Sequence, residues 1–150
     1  PTRDIVMWRQ AQRKAGFPLW MPTVMYAGAE TRDPQFSSQP PYRVYTTAGH
    51  KAVYVTYSAD AYDQVFGVQA IQWDSPPILD GPTATREYKG RTLLLYFNGA
   101  DLQRVAWKEG GVSYWLENSL TGSIPNISCP PCLIDAFRHV YNRLDSISKT

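Results

Sequence analysis

The sequence predicts a single α+β domain in which an antiparallel sheet of about six to eight strands packs against an N-terminal and a C-terminal helix. Three observations lead to this fold class. The chain has 150 residues, enough for one domain with its own core. Apolar residues recur at helical spacing near both ends of the chain. Short stretches rich in Val, Tyr and Thr, separated by glycine-containing turns, fill the middle.

The first helix is predicted over residues 3–15. Gly16 ends it and Pro18 prevents its continuation. An extended segment over residues 19–26 follows, and residues 27–41, rich in Gly, Ser, Gln and Pro, are predicted to form a long surface loop. One face of the helix is predicted to carry Ile5, Trp8, Ala11, Gln12 and Ala15.

Strands are predicted from residue 42 onward. The first two, over residues 42–47 and 51–57, form a hairpin around a short turn that contains Gly49. Residues 58–65 are interpreted as a loop or a short helical turn. Residues 66–73 are interpreted as the next strand.

The last third of the chain predicts an antiparallel meander and then a helix. The final helix is predicted over residues 131–147, because apolar residues recur there with a period close to that of a helix. Its apolar face would carry Leu133, Phe137, Val140, Tyr141 and Leu144. Four strands, joined by turns that contain glycine, are expected over residues 85–88, 91–97, 102–107 and 112–117. Helices and sheet would form two layers, so we expect one sheet face to be buried and the other to be partly open.

Composition and charge exclude several classes of protein. Lys and Arg total 15 and Asp and Glu total 13, a formal net charge of +2 that does not favour a nucleic-acid partner. The sequence has no apolar run near the length of a transmembrane helix and no signal-peptide pattern. Because residue 1 is Pro, we expect the chain to be processed or cut from something longer, with any membrane anchor upstream of Pro1.

No catalytic, metal or cofactor site is assigned. His50 in the hairpin turn and His139 in the final helix are interpreted as solvated surface residues. No group of His, Cys and carboxylate residues has the spacing of a metal site. Glycine-rich phosphate-binding motifs are absent from the sequence.

The C-x-x-C motif at Cys129 and Cys132 has three interpretations: a structural disulfide, two inert thiols or a redox pair. Residues 118–128 before it are predicted to be a loop, whereas a redox motif normally follows a buried strand. Pro130 and Pro131 already restrict the intervening loop, so a bridge would stabilise the fold only slightly. We favour the structural disulfide.

The tryptophans and one proline-rich loop are the candidates for ligand or partner contact. Most tryptophans fall on predicted strands, where they either fill the core or form an exposed platform for sugar rings or a partner chain. Residues 74–82 carry three prolines, so this loop is either a preorganised contact loop or a stiff connector. The candidate ligand or interface residues are Trp73, Asp74, Ile78, Asp80, Trp107 and Trp115.

Five stretches, taken together and in this order, resemble one family: AGFPLWMPT, YRVY, FGVQAIQWDSPPIL, GRTLLLYFNG and RVAWKEGGVSYWLENSL. They resemble the C-terminal extracytoplasmic region of actinobacterial LytR-CpsA-Psr (LCP) proteins, a family that transfers lipid-linked glycopolymers to the cell wall. The resemblance runs from about residue 15 to residue 145 and covers only the accessory region. The family's catalytic residues therefore have no counterpart in this chain, and the cysteine pair departs from the family pattern.

The resemblance implies a non-catalytic extracytoplasmic domain of a cell-envelope protein, at the cell surface or secreted, that binds cell-wall glycan or positions an envelope partner. One alternative is a structural subunit or interdomain scaffold that self-associates. A second alternative is a thiol-disulfide redox protein that uses Cys129 and Cys132. An extracytoplasmic location also agrees with a disulfide between these two cysteines.

Overall fold

The computed structural model describes residues 3–22, 29–31, 42–59, 64–118 and 137–139. These residues form one α-helix and ten β-strands, so this part of the chain is mostly β. The elements are α1 (Arg3–Ala15), β1 (Trp20–Pro22), β2 (Ala29–Thr31), β3 (Tyr42–Thr47), β4 (His50–Ala59), β5 (Gln64–Ile71), β6 (Ala84–Tyr88), β7 (Arg91–Asn98), β8 (Asp101–Glu109), β9 (Val112–Asn118) and β10 (Phe137–His139).

Eight of these strands form one antiparallel sheet in the order β2-β4-β5-β9-β8-β7-β6, with β3 also paired to β4. The meander predicted for the last third is confirmed as β6 to β9, and the predicted hairpin is confirmed as β3 and β4. Pairing of β5 with β9 joins the two groups of strands into one sheet. Strands β1 and β10 form a separate antiparallel pair.

Tight turns with left-handed backbone set the hairpins. Ala48 and Gly49, between β3 and β4, have φ of 49° and 80°. Lys89 and Gly90, between β6 and β7, have φ of 48° and 76°. Two consecutive positive φ values define the turn whose twist matches that of the flanking strands, and glycine adopts them without steric cost. The glycines therefore mark the strand boundaries that the sequence predicts.

Helix α1 packs on one face of the sheet, which we call the helix face. The predicted helix is confirmed over Arg3–Ala15, and it ends at Gly16, whose φ is 78°. Met7, Trp8, Ala11 and Ala15 are buried against the sheet. The strands contribute alternate residues to this core, among them Val53, Val55, Val68, Leu93, Val105 and Trp107.

The opposite sheet face carries a second, smaller apolar cluster. It consists of Ala52, Ile71, Ala106 and Trp115 from the strands and Leu79 from the loop after β5. The loop after β5, interpreted from the sequence as a contact loop or a connector, therefore covers part of this face. We call it the strap face.

The predicted C-terminal helix is not confirmed, because residues in the middle of its range form a strand. Phe137–His139 are β10, and they pair with β1 from Pro22↔Phe137 to Trp20↔His139. Aromatic and β-branched residues fit strands as well as helix faces, so helical spacing over a short range does not exclude a strand. Backbone pairing with β1 stabilises the strand conformation of these three residues. The other residues of that predicted helix lie outside the described residues.

Two predicted loops are shorter than expected. Ala29–Thr31, inside the predicted loop over residues 27–41, pair with the far end of β4 as β2. The β4–β5 ladder continues to Ala59↔Gln64, so strand replaces both ends of the loop predicted over residues 58–65. Pairing with the distant β4 stabilises β2, and the hairpin between β4 and β5 extends at its own ends; local composition indicates neither. Cys129 and Cys132 lie outside the described residues, so their disulfide stays a prediction.

Candidate binding site on the strap face

The loop after β5 crosses the strap face as a rigid strap. We define the strap as residues 73–83; it contains three prolines and one turn of 3-10 helix at Pro77–Leu79. Strand β5 ends at Ile71, so Trp73 belongs to the strap and not to the strand as predicted. The Trp73 N–H donates to the Ile71 carbonyl at 2.8 Å, which turns the chain out of the strand.

Side chains from three strands hold the strap by its backbone. Ser113 Oγ on β9 donates to the Trp73 carbonyl at 2.7 Å. Arg104 Nη1 on β8 donates to the Ile78 carbonyl at 2.8 Å. The Tyr96 hydroxyl on β7 donates to the Leu79 carbonyl. These bonds fix the strap at three points across the sheet.

The end of the strap is fixed to β7 by two further bonds. The Thr83 N–H donates to the Leu95 carbonyl at 2.8 Å, and the Phe97 N–H donates to Thr83 Oγ1 at 3.0 Å. Hydrogen bonds at both ends, together with the prolines, leave the strap few alternative conformations. The strap is therefore preorganised.

Leu79 fixes the strap through apolar contact. Its side chain is 3% exposed and packs with Ala52, Ile71, Ala106 and Trp115. The neighbouring Ile78 points away from this cluster and is 48% exposed. The strap thus places one apolar side chain in the core and presents the next one to solvent.

Trp73 is held by a stacked contact that sequence reasoning missed. The His50 imidazole lies parallel to the indole, with ring centroids 4.0 Å apart and an interplanar angle of 7°. His50 Nδ1 lies 2.9 Å from the Gln72 carbonyl oxygen, to which it donates. Both side chains are half-buried, so His50 is not the fully solvated residue that its turn position indicates.

The six candidate residues fall into two groups. Asp74, Ile78 and Asp80 are exposed on the strap and stay candidates, as does the half-buried Trp73. Trp107 is 1% exposed in the helix-face core and Trp115 is 4% exposed under the strap. Neither ring can stack on a ligand without rearrangement of the fold, so the core interpretation describes these two tryptophans.

A polar network lies beside the strap. Arg104 Nη2 contacts Glu117 Oε1 at 2.5 Å, and Gln69 Nε2 donates to Glu117 Oε2 at 3.0 Å. The Arg104 guanidinium also lies over the Tyr96 ring, 5.2 Å from its centroid. Burial raises the pKa of the Tyr96 hydroxyl; nearby Arg104 lowers it and Asp80 raises it. Both carboxylate oxygens of Glu117 are engaged, one of them by Arg104. Because Arg104 also donates to the Ile78 carbonyl, the network supports the strap.

Strands β3 to β5 add an aromatic and polar surface that sequence reasoning did not identify. Arg43 pairs with Tyr54, and Tyr54 pairs with Gln69, so the three side chains form one row across the strap face. Tyr45, on the same face, is 40% exposed. Burial and the nearby Tyr54 raise the pKa of the Tyr45 hydroxyl, and Arg43 lowers it. Residues two apart in a strand lie on the same face, so the positions of Arg43 and Tyr45 in β3 could have indicated this surface from the sequence.

Gly67 in β5 lets the Tyr54 ring approach the sheet backbone. A Cβ atom at Gly67 would lie 2.7 Å from Tyr54 Cε2 and 2.9 Å from Cζ. Its φ is not positive, so the backbone does not require glycine there. The absence of a side chain instead makes room for the ring, as glycines in strands often do.

The described residues do not contain a candidate metal centre, and the cavity between α1 and the sheet is small. Within the described residues, no group of three or more His, Cys, Asp or Glu side chains could hold a metal ion. A cavity of about 10 Å³ between α1 and the sheet, lined by Trp8, Leu19, Trp20 and Trp107 among others, has room for about one water. No helix among the described residues is long and apolar enough to cross a membrane. On the strap face, Asp74, Ile78 and Asp80 are exposed and accessible to a ligand.

Comparison of the chain with protein-family models, with curated proteins and with solved structures finds no match. The function is therefore inferred from the residues of the strap face and from the sequence motifs that build it.

Proposed function

We propose that this chain is a non-catalytic extracytoplasmic domain of a cell-envelope protein, where it binds cell-wall glycan or positions an envelope partner through the strap face. The observation that carries this proposal is the strap. It is fixed by backbone hydrogen bonds to Ser113, Arg104 and Tyr96, yet it leaves Ile78 exposed. A preorganised loop loses little conformational entropy on binding, which favours a role in recognition.

The sequence motifs support the same surface. Residues 66–79, one of the two more specific stretches of the resemblance to LytR-CpsA-Psr proteins, contribute most of β5 and the strap. The other, over residues 104–120, contributes most of β8 and β9. Ser113 and Arg104 from the second stretch bind the strap in the first. The two more specific stretches of the resemblance therefore meet at the strap, which supports the choice of this surface.

The test is retention of the purified domain on insoluble cell-wall glycan. We expect the wild-type protein to be retained and retention to fall at least about fivefold in the Ile78→Ala variant, since central contact residues typically carry more than 1 kcal/mol. Val6→Ala is the matched control, because Val6 is also an exposed apolar residue, 42% exposed, but lies on α1. Absence of retention for the wild type would remove the glycan version. If Ile78→Ala, Asp74→Ala and Asp80→Ala are all retained as strongly as the wild type, the strap is only a connector and does not contact the glycan.

Self-association is the second candidate, and the observation that favours it is that β6 pairs with only one of the other described strands. Ala84–Tyr88 end the strand order, and residues 84–87 are exposed. Their charged Arg86 and Glu87 side chains are typical of edges that resist pairing. Sedimentation at increasing protein concentration separates the candidates: a concentration-independent monomer contradicts self-association.

A further inference from the structure

We propose that the row Arg43–Tyr54–Gln69 on the strap face is a subsite for one sugar ring that carries a carboxylate. The inference rests on the proposed glycan-binding function and deepens it, since it names the sugar class and a surface next to the strap. The residues come from three adjacent strands, β3, β4 and β5, and are direct register partners.

The Tyr54 ring supplies the stacking platform. Its outer edge lies within 3.0 Å of the position that a Cβ of Gly67 would occupy, so the ring reaches across onto the neighbouring strand. Tyr54 is half-buried, which is the exposure expected for a ring with one side against the sheet. Such a ring presents apolar area and a polar hydroxyl together, which suits the C–H face and the hydroxyls of a sugar.

The polar side chains flank this ring on both sides. Neighbouring strands are about 4.8 Å apart, so Arg43 and Gln69 lie about 10 Å apart across Tyr54, a span that fits a single sugar ring. Gln69 donates to Glu117 and keeps its amide oxygen as an acceptor for a sugar hydroxyl. Tyr45, 40% exposed on the same face, adds a second hydroxyl at the border.

Charge selects an acidic sugar. Glu117 is already bound by Arg104, so that pair contributes little net charge. Arg43 is exposed and, among the described residues, makes no ion pair. A guanidinium binds a carboxylate with two parallel hydrogen bonds, and such charge-assisted bonds are stronger than those to neutral groups. The surface therefore fits a carboxylate beside the stacked ring.

The experiment is a calorimetric titration with trigalacturonate and, as its matched neutral ligand, the methyl ester of the same trisaccharide. We expect the acid to bind about tenfold more tightly than the ester, a difference of about 1.4 kcal/mol. Arg43→Gln should abolish that difference. Tyr54→Ala should weaken both ligands at least about tenfold, whereas Tyr54→Phe, which keeps the ring and removes only the hydroxyl, should lose less affinity than Tyr54→Ala.

Each contrary result overturns a defined part of the inference. No binding of either sugar by the wild type overturns the subsite, even if the domain is retained on cell-wall glycan and the proposed function stands. Equal affinity for acid and ester overturns the role of Arg43, and unchanged affinity in a folded Tyr54→Ala variant overturns the platform. If Tyr54→Ala does not fold, the comparison of acid with ester in the wild type and in Arg43→Gln still decides. Capture of an envelope protein on this surface without sugar binding also overturns the subsite.

Discussion

Gly67→Ala tests the contact on which the aromatic surface depends. The backbone at Gly67 accepts alanine because its φ is not positive, and replacing a strand glycine by alanine by itself stabilises a protein by about 0.5–1 kcal/mol. The new Cβ, however, would lie 2.7 Å from Tyr54 Cε2, so the ring must move. Overpacking of this kind costs about 1–3 kcal/mol. The steric cost offsets the backbone gain, and because the displaced atoms are the tip of a half-buried ring the expected net loss lies in the lower part of about 0–2.5 kcal/mol.

The same substitution should change sign when the ring is absent. In a Tyr54→Ala background only the backbone gain remains, so Gly67→Ala should stabilise the protein by about 0.5–1 kcal/mol. In a Tyr54→Phe background, the matched control, it should stay destabilising because the ring is kept. Urea unfolding followed by tryptophan fluorescence measures the four free energies of the Tyr54→Ala cycle and the two of the Tyr54→Phe control. Equal stabilisation by Gly67→Ala in the wild type and in Tyr54→Ala would refute the contact.

Three further predictions concern the strap, the core and the cysteines. Leu79→Ala should lower the free energy of unfolding by about 2–5 kcal/mol in urea melts, because it empties the strap's buried anchor; a loss below about 1 kcal/mol would contradict that anchoring. Burial and, to a smaller extent, Glu109 raise the pKa of Tyr114, whose hydroxyl donates to the Pro18 carbonyl at 2.6 Å. The protonated Tyr114 hydroxyl therefore makes its full contribution to the free energy of unfolding below the unfolded-state pKa of about 10. This contribution is lost as the pH rises above that value, by at most about 1.4 kcal/mol per pH unit. In urea melts from pH 8 to 11, the free energy of unfolding should fall less steeply with pH in Tyr114→Phe than in the wild type. Equal slopes in the two proteins would contradict this role of Tyr114. Cys129 and Cys132 should carry no alkylatable thiol by intact mass without reductant, and Cys129→Ser should cost no more than about 1–2 kcal/mol because the bridged loop is short; two alkylated thiols would contradict the disulfide.

The sequence predicts the local elements well because their signals are local. Gly16 marks the end of α1, and glycines such as Gly49 and Gly90 mark hairpins whose strands are neighbours along the chain. The order of distant strands has no such signal. Pairing of β5 with β9 and of β1 with β10 depends on which edges remain available after the hairpins form, which local patterns do not record.

The candidate site was predicted only in part for the same reason. The stiffness of the strap follows from its prolines, and the exposure of Ile78 agrees with the choice of that loop. The burial of both tryptophans was not predicted, because Trp107 lies under α1 on the helix face and Trp115 lies under the strap on the other face. Tyr54 was missed because its environment depends on Gly67 in another strand.

The contacts that hold the strap in place do not involve the side chain of Ile78, which the strap presents to solvent. Ser113, Arg104 and Tyr96 all bind carbonyl oxygens of the strap backbone, which any residue would provide. Leu79 supplies the apolar anchor, so the side chain of Ile78 has no part in holding the strap. A single exposed apolar side chain is common on protein surfaces, and on a rigid support a partner can cover it without first ordering the loop. Ile78→Ala should therefore leave the free energy of unfolding within about 0.5 kcal/mol of the wild type, as surface substitutions usually do, while it lowers retention on cell-wall glycan.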